Sequence, residues 1–402
     1  MRILIASPVI AFHGVSHAGG EFLLRHIQAL NTDHQVTLIV PRNTLFPQDE
    51  AMLHLAPCTT YMIDNNPLSG NKLNIIGHTT AVMHPTSIFS SFWADALKHP
   101  GASEALDKAD AVELQWFEMA LTARTLRRMG YDKSIFGFYH DVMSQRMGRE
   151  FRAETRLPHR VVKAARTLIV RQSERTTIKH LSLNVCLNEK DSRLLASIGA
   201  PDCKLLVVNP PLDDDEMPVQ VPDLTERDPV AIFVAQFGRK ENDQAARWIL
   251  KNVWPDVRAE NDSFQLVFAG GGLSEDLRDL IKSTPGTSAT GYIPSLNSAY
   301  LSARAAVVPL LSGAGIKFKS IIPMLWGVPV IATTVGAEGL NPTLFAAIED
   351  DASVFAKKMI AALKTPSSYD TLRKNALNES RSTYSRSAYL KVIRRIYAKK
   401  YA

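Results

Sequence analysis

Two glycines and two lysines near residue 315 have the residue types and spacing of a loop that binds phosphate. Gly313 and Gly315 follow a short apolar run, and Lys317 and Lys319 stand where a segment with helical character begins. Backbone N–H groups at such a turn bind anions, and two ammonium groups add positive charge. The Gly-Lys-Ser/Thr ending of a P-loop is missing, so the pattern implies neither a Mg²⁺-phosphate site nor nucleotide hydrolysis. It suits a transferase that must stabilise a diphosphate leaving group.

A second cationic pair follows the first strand predicted in the second half of the chain. Arg239 and Lys240 come directly after Gly238, at the expected start of a helix. A guanidinium matches the geometry of phosphate oxygens, and the helix N-terminus adds its dipole. The pair therefore predicts contacts with a diphosphate, and an exposed cationic loop without a ligand is the alternative.

The first half offers a histidine and a pair of glycines. His140 and Asp141 follow the predicted strand 135–139. From there the ring N–H of His140 can contact a substrate hydroxyl or a departing oxygen, and a histidine hydrogen-bonded within its own loop is the alternative.

Gly19 and Gly20 begin a helix about a dozen residues after the first strand. The pair is equally compatible with an anion or acceptor site and with a plain loop-to-helix turn.

Other glycines and the cysteines exclude several cofactors. Gly270 and Gly271 begin a glycine triplet, but Glu275 stands where a dinucleotide fingerprint requires its third glycine. We expect this turn to line the base or ribose region of a nucleotide, and a dehydrogenase or epimerase is disfavoured. The three cysteines form no Cys-x-x-Cys pair, and carboxylates and histidines show no metal-ligand spacing. The sequence therefore predicts no cofactor and no metal.

Parallel sheets are needed to position these residues. Short β-rich apolar runs alternate with longer amphipathic segments before residue 209 and again after residue 229. Strands that alternate with helices form parallel sheets covered on both faces, and ligands bind beyond the carboxyl ends of the strands. We therefore predict an α/β protein with two similar halves. The predicted strands are residues 3–6, 36–40, 111–114, 135–139, 183–187 and 205–208, followed by 230–235, 264–269, 305–310 and 328–332.

Composition marks the division between the halves. Residues 209–229 contain five prolines and seven acids against one arginine, which opposes helix formation and burial. We predict a first domain over residues 1–208, a linker over 209–229 in which the acidic run 213–216 is solvated, and a second domain over 230–385.

Charge and hydropathy narrow the range of partners. The longest nearly apolar stretch, residues 321–332, is 12 residues long and interrupted by prolines, so no membrane span is predicted. The apolar run 3–6 is too brief for a secretory signal, which favours a cytoplasmic protein.

Ten basic residues between Arg146 and Lys179 face three acids. That stripe suits an anionic membrane surface or a phosphorylated acceptor, and a solvated helix face is the alternative. Cations and tyrosines after Ser380 lack a nucleic-acid-binding motif, so nucleic acid is disfavoured.

The order of these motifs resembles that of glycosyltransferases with the GT-B fold, most closely family 4 of bacterial polysaccharide enzymes. The resemblance covers nearly the whole chain and is stronger after residue 230. It is carried by Gly19-Gly20, His140-Asp141, Phe233-Val234-Ala235 with Asn242, Phe268 to Gly272, Gly291-Tyr292-Ile293, Pro309, Gly313 to Lys319, Gly327 to Val330 and Gly336 to Leu340.

The resemblance implies two Rossmann-like domains facing across a cleft, with a terminal helix, residues 386–402, that packs back on the first domain. It implies retaining, metal-independent transfer from a nucleotide-sugar donor held mainly by the second half to a glycan or lipid-linked acceptor held mainly by the first, in cell-surface polysaccharide or glycolipid synthesis. His140 would lie beside the donor sugar. The other residues carried over would surround the donor diphosphate and nucleoside: Gly19, Gly20, Gly238, Arg239, Lys240, Gly270, Gly271, Gly315, Lys317, Lys319, Glu338 and Gly339.

One position departs from the family pattern. The glutamate that usually holds the nucleotide ribose, five residues before the glycine matched by Gly327, is replaced by Ile322, and Pro323 follows it. An acceptor for two hydroxyls contributes about 1–3 kcal/mol to binding. The departure leaves three interpretations: other groups hold the ribose, the donor is unusual, or the chain is a degenerate relative that binds without catalysing.

Overall fold

The computed structural model describes residues 1–15, 18–42, 50–65, 89, 91–212, 218, 220–293, 295–313 and 315–398. The chain divides into two compact units. The first comprises residues 1–211 together with 386–402, and the second comprises residues 212–385. The acidic run 213–216 lies outside the described residues.

The first unit is built on a sheet of seven strands in the order β3-β2-β1-β4-β5-β6-β7, and every pair is parallel. Its first strand in the chain lies inside the sheet and pairs Ile3 with Val36 on one side and with Ala111 on the other. Such strands are covered on both faces and are therefore continuously apolar. The strands are β1 (Arg2–Ala6), β2 (Gln35–Arg42), β3 (Thr59–Asp64), β4 (Ala111–Gln115), β5 (Ser134–Tyr139), β6 (Leu183–Cys186) and β7 (Leu205–Val207).

Helices cover this sheet and follow its strands along the chain. Polar caps fix some of their starts: the side chain of Asn188, for example, accepts the Asp191 backbone N–H. The described helices of this unit are α1 (Ala18–Leu30), α2 (Phe92–Ala96), α3 (Pro100–Lys108), α4 (Trp116–Ala120), α5 (Ala123–Arg128), α6 (Met143–Ala153), α7 (Leu157–Ile178) and α8 (Glu189–Ser197).

The second unit repeats this plan with six parallel strands in the order β10-β9-β8-β11-β12-β13. Its strands are β8 (Asp228–Val234), β9 (Gln265–Ala269), β10 (Thr287–Gly291), β11 (Ala303–Val308), β12 (Val330–Ala332) and β13 (Ala347–Ile348). Its helices are α9 (Lys240–Asn252), α10 (Trp254–Glu260), α11 (Glu275–Ser283), α12 (Asn297–Ser302), α13 (Phe318–Leu325), α14 (Ala352–Lys364) and α15 (Asp370–Tyr384).

The segment predicted to be a linker is ordered at its C-terminal end. Arg227 is 3% exposed there. Its guanidinium donates to four backbone carbonyl oxygens, those of Pro222, Tyr300, Ala303 and Trp326. Because a buried guanidinium needs such acceptors, these bonds hold the end of the segment on the second unit.

The last described helix, α16 (Arg386–Ala398), belongs to the first unit. It contacts α1 and buries Tyr389 and Ile393 there. Residues 399–402 lie outside the described residues. No helix within the described residues is long and apolar enough to cross a bilayer.

Two parallel sheets of an α/β protein confirm the predicted fold class. Three strands were not predicted, namely β3, β10 and β13. The sequence of β10, Thr-Ser-Ala-Thr-Gly, lacks large apolar side chains and lies at a sheet edge, half exposed. An edge strand that needs no apolar run gives no signal in hydrophobic periodicity.

Candidate active site

The topology locates one candidate binding region in each unit. Strand order reverses beside the first strand of each sheet, between β1 and β4 and between β8 and β11. Open parallel sheets bind ligands at that point, beyond the carboxyl ends of the strands. The motif residues of the second half follow β8, β9, β11 and β12, and those of the first half follow β1 and β5.

In the second unit, Lys319 and Asn242 join two of the motif loops. Lys319 is the second residue of α13, and its Nζ donates to Asn242 Oδ1 at 2.5 Å. The Asn242 side-chain amide in turn donates to the backbone oxygen of Gln236 at 2.6 Å. Asn242 is buried, so its amide fixes the turn after β8 relative to the lysine of the glycine loop.

Burial and neighbouring charges determine the protonation state of the Lys319 side chain. Burial, with help from the positive charges of Arg239 and Lys317, lowers the pKa of Lys319 to about 7, and Glu241 opposes the shift. A buried cation loses hydration, and neighbouring cations disfavour a further charge. An anion bound beside these three groups restores the charge of Lys319, so the cluster is suited to receive a diphosphate.

Lys317 contacts its own loop and Glu338, a residue that follows β12. Its Nζ donates to the backbone oxygen of Gly315 at 2.6 Å and lies 3.7 Å from a carboxylate oxygen of Glu338. Both side chains are buried. Glu338 thus serves as a counter-charge that orients Lys317, a role that the sequence did not suggest, and Gly339 directly follows it.

The two cations after Gly238 differ in position. Arg239 occupies the N-cap position of α9 without a side-chain capping bond, and its guanidinium pairs with Glu241 at 2.5 Å. Lys240 is the first residue of α9 and is exposed. The structure therefore brings Arg239, Lys317 and Lys319 into one electrostatic cluster, while Lys240 stands at its margin.

The glycine turn after β9 supports the loop that carries Arg239. A Cβ on Gly270 would lie 1.9 Å from the backbone oxygen of Ala235. The backbone oxygen of Gly271 accepts the N–H of Phe237 at 2.8 Å. These glycines thus pack two backbones together, and their predicted place beside the base or ribose stays a prediction.

Ile322 lies within α13, half-buried against the hydrophobic core of the second unit. Pro323 is inside the same helix and has no N–H to pair with the carbonyl of Lys319, four residues earlier. The position that carries a carboxylate in the resembled family is thus an apolar packing position here. Ala314, between the two glycines of the loop 313–319, lies outside the described residues.

In the first unit, an aromatic stack fixes His140, the residue directly after β5. The indole of Trp116 lies against the imidazole at 3.8 Å between ring centroids, with an interplanar angle of 11°. Trp116 has a φ of +65°, an uncommon conformation for a residue other than glycine. His140 Nε2 lies 3.1 Å from Gln115 Oε1. Trp116 and Gln115 were missed by sequence reasoning, because an aromatic residue after a strand ordinarily indicates core packing.

Gly19 makes room for this stack. A Cβ on Gly19 would lie 2.7 Å from the indole ring of Trp116. Gly19 and the buried Gly20 are the second and third residues of α1, while Ser16 and His17 lie outside the described residues. Close packing against Trp116 therefore explains Gly19 without a ligand, and the predicted anion site at this helix stays a prediction.

Within the described ranges, no three or more His, Cys, Asp or Glu side chains lie together in a way that suits a metal ion.

Comparisons with known proteins connect this geometry to an enzyme class. Residues 228–365 match the family model described as "Glycosyl transferases group 1". An uncharacterised 44.6 kDa protein in the cps region of Klebsiella pneumoniae is 31% identical over 163 residues. That match covers 38% of this chain and 42% of the relative, so it spans less than half of either protein.

Solved structures match over the whole chain. Anabaena HepE in complex with UDP superposes with a TM-score of 0.68 at 11% identity, covering 99% of this chain and 100% of that one. The lipopolysaccharide outer core galactosyltransferase WaaB, in its apo form, gives a TM-score of 0.62 at 12% identity and covers 99% of both chains. At these identities the likeness shows the fold, and the predicted GT-B fold is confirmed.

Proposed function

We propose that this chain is a glycosyltransferase that moves a sugar from a nucleotide-sugar donor to a glycan or lipid-linked acceptor, with retention and without a metal ion. The observation that carries the proposal is the cluster of Arg239, Lys317 and Lys319, which lies inside the segment that matches the group 1 glycosyl transferases. HepE, with the same fold, binds UDP. The Klebsiella relative belongs to a cps region, which supports a role in cell-surface polysaccharide or glycolipid synthesis.

In the proposed reaction, the anomeric carbon of the donor sugar loses its bond to the diphosphate and gains one to an acceptor hydroxyl oxygen. Negative charge grows on the leaving diphosphate, which takes up the proton of that hydroxyl. Lys319, whose pKa is lowered to about 7 by burial and by the neighbouring cations, becomes fully charged as that anion binds. Lys317, oriented by Glu338, and Arg239 at the α9 N-terminus add fixed positive charge. Preorganised charges of this kind stabilise the transition state. They supply the charge that a metal ion provides in other transferases. His140 is proposed to position the donor sugar.

The first test is a nucleotide panel read by thermal stability. We expect one of UDP, GDP, ADP, CMP, dTDP or their sugars to raise the melting temperature of the purified chain, equally with and without EDTA. A ligand at about 100 times its Kd stabilises the folded state by roughly 2.7 kcal/mol, a shift that is easily measured. A shift abolished by EDTA would contradict metal independence, and no shift with any nucleotide would contradict a donor site.

A second candidate function follows from Ile322. A degenerate relative that binds a glycan or a partner without catalysis would also lack the ribose carboxylate. Because Ile322 packs against the core, we expect Ile322→Glu to weaken nucleotide binding, as in a site rebuilt around the apolar side chain. A gain in nucleotide affinity in Ile322→Glu would indicate a decayed site and favour the binding protein.

We also propose that the first unit attaches to an anionic lipid surface through α7. Leu157, Val161 and Leu168 lie on one face of this helix and are 73%, 62% and 68% exposed. Leu168 shares the lining of a cavity of about 440 Å³ with Arg171 and Arg175. Exposed apolar side chains beside arginines match the acyl and phosphate layers of a membrane interface. This placement suits an acceptor carried on a lipid.

Vesicle binding tests this surface. We expect the chain to sediment with vesicles of phosphatidylglycerol and phosphatidylcholine but not with pure phosphatidylcholine. The double variant Arg171→Gln/Arg175→Gln should bind the mixed vesicles about tenfold or more weakly, because each cation near such a surface contributes about 1 kcal/mol. Leu157→Asn/Leu168→Asn should also weaken binding. Leu97→Asn, another exposed leucine of the first unit, is the matched control and should change nothing. Equal binding to neutral vesicles would contradict the proposal.

A further inference from the structure

A chain of hydrogen bonds runs from the C-terminal helix α16 through the interior of the first unit to His140. The hydroxyl of Tyr389 lies 2.5 Å from His26 Nδ1, and His26 Nε2 lies 2.7 Å from Glu113 Oε2. Gln115 Nε2 donates to the same carboxylate oxygen at 3.1 Å, and Gln115 Oε1 lies 3.1 Å from His140 Nε2. Tyr389, His26, Glu113 and Gln115 are each at most 2% exposed.

At the His140 end, these hydrogen bonds can be donated in only one direction. An ionised carboxylate accepts hydrogen bonds and donates none, so Glu113 requires the N–H₂ side of the Gln115 amide. The oxygen of that amide then faces His140 and also only accepts. His140 must therefore donate from Nε2, so that in a ring with one proton this proton is on Nε2 and Nδ1 is the acceptor atom.

Glu113 is a fully buried carboxylate that core packing alone does not explain. A carboxylate in the middle of a sheet loses hydration at a large cost, which partners must offset. His26 and Gln115 both contact Oε2, while Oε1 has no hydrogen-bond partner among the described residues. An apolar residue at this position of β4 would continue the core, so a packing role alone does not account for Glu113.

We infer that Glu113 and Gln115 are positioning residues that set the tautomer of His140, so that a hydroxyl bound to the lone pair of this ring donates to Nδ1. Trp116 stacks on the imidazole and Phe22 contacts it edge-on, with ring centroids 4.9 Å apart, so the ring plane is fixed as well. The sequence analysis predicts that a ring N–H of His140 contacts the substrate. In the structure, the Nε2–H bonds to Gln115 instead. The consequence for sugar transfer rests on the proposed function, but the tautomer does not.

Nitrogen NMR of the full chain labelled with ¹⁵N-histidine tests the tautomer directly. His140, assigned by the loss of its signals in His140→Asn, should show a protonated Nε2 and an unprotonated Nδ1. Glu113→Gln keeps the shape of the side chain, but its amide can donate as well as accept a hydrogen bond. The Gln115 amide can then take either orientation, so we expect a mixture of His140 tautomers. Tyr397→Phe removes another buried hydroxyl of α16, one without a hydrogen-bond partner among the described residues, and should leave the His140 signals unchanged.

A protonated Nδ1 in the unaltered protein, or a full Nε2 preference retained in Glu113→Gln, would overturn the inference. If Glu113→Gln does not fold, Gln115→Met replaces it, because methionine removes the amide oxygen while Glu113 stays. Loss of the Nε2 preference is then the supporting result, and its retention is the contrary one.

Activity gives an independent second readout. In an active enzyme we expect Glu113→Gln and Gln115→Met to lower kcat about tenfold or more with a smaller change in KM, since small errors in placing a catalytic group have effects of this size. Equal kcat in these variants and the unaltered protein would overturn the role in transfer. Absence of transfer in the unaltered protein would count against the proposed function alone, because the NMR result does not depend on turnover.

Discussion

Lys319→Ala should transfer sugar at least about 10² times more slowly than the unaltered chain, with its fold intact. The substitution removes a buried cation from beside the proposed leaving diphosphate, and losing one preorganised charge or donor costs about 10² or more in kcat. The lysine lies in the first turn of α13, and Asn242 keeps its own hydrogen bond to the backbone oxygen of Gln236, so the remaining cluster should persist. Turnover is measured at saturating donor, and thermal melting checks the fold. Unchanged turnover would eliminate the role assigned to Lys319.

The pH dependence of donor binding distinguishes charge from shape at this residue. With the pKa of Lys319 lowered to about 7 by burial and by the neighbouring cations, the amine is largely neutral at pH 8. A bound diphosphate favours the ammonium, so binding takes up a proton at pH 8, and affinity decreases as pH rises above 7. Calorimetry with an intact nucleotide sugar in two buffers of different ionisation enthalpy measures this uptake.

Lys319→Arg is the matched control for that measurement. A guanidinium stays protonated throughout this range. We therefore expect Lys319→Arg to bind the donor without proton uptake and with little dependence on pH. Proton uptake in the arginine variant as large as in the unaltered chain would assign the titration to a different group.

The parts of the fold that the sequence predicted are those whose signal is local. The strand β1 reads as a continuous apolar run because both faces of its sheet are covered, and the same holds for β8 and β11. The edge strands β3, β10 and β13 were missed because a half-exposed strand needs no such run. The loop 313–319 was predicted to bind phosphate because its glycines and lysines lie close together in the sequence, and that role stays a prediction.

The parts of the candidate site that were missed depend on contacts between distant residues. Tyr389 and His26 are 363 positions apart, and neither belongs to a motif. The conformation of Trp116, which brings its indole against His140, has no sequence signature because Gly19, the residue that makes it possible, reads as an ordinary glycine at a helix start. Glu338 was assigned to the donor, while its contact with Lys317 depends on how the loops after β11 and β12 meet.

The loop after β9 is where we expect the largest effect on stability. Gly270→Ala should destabilise the second unit by about 3 kcal/mol or more, because it combines two costs. Gly270 has a φ of +138°, where a side chain is strained, and its new Cβ would lie 1.9 Å from the oxygen of Ala235. That oxygen belongs to backbone, which cannot rotate away as a side chain can. Urea unfolding and hydrogen exchange of peptides from β8 and β9 measure the loss.

Gly271→Ala is the adjacent control, since the nearest atom to its Cβ, on Tyr292, is 3.7 Å away. It should change stability by no more than about 0.5 kcal/mol. The comparison separates a role in packing from a role in binding. The loop that Gly270 contacts continues from Ala235 through Gly238 to Arg239, the residue before α9, so Gly270→Ala should also displace that guanidinium. We expect Gly270→Ala to lose both stability and nucleotide binding. If Gly270→Ala is as stable as Gly271→Ala, then the close approach of the two backbones does not position Arg239.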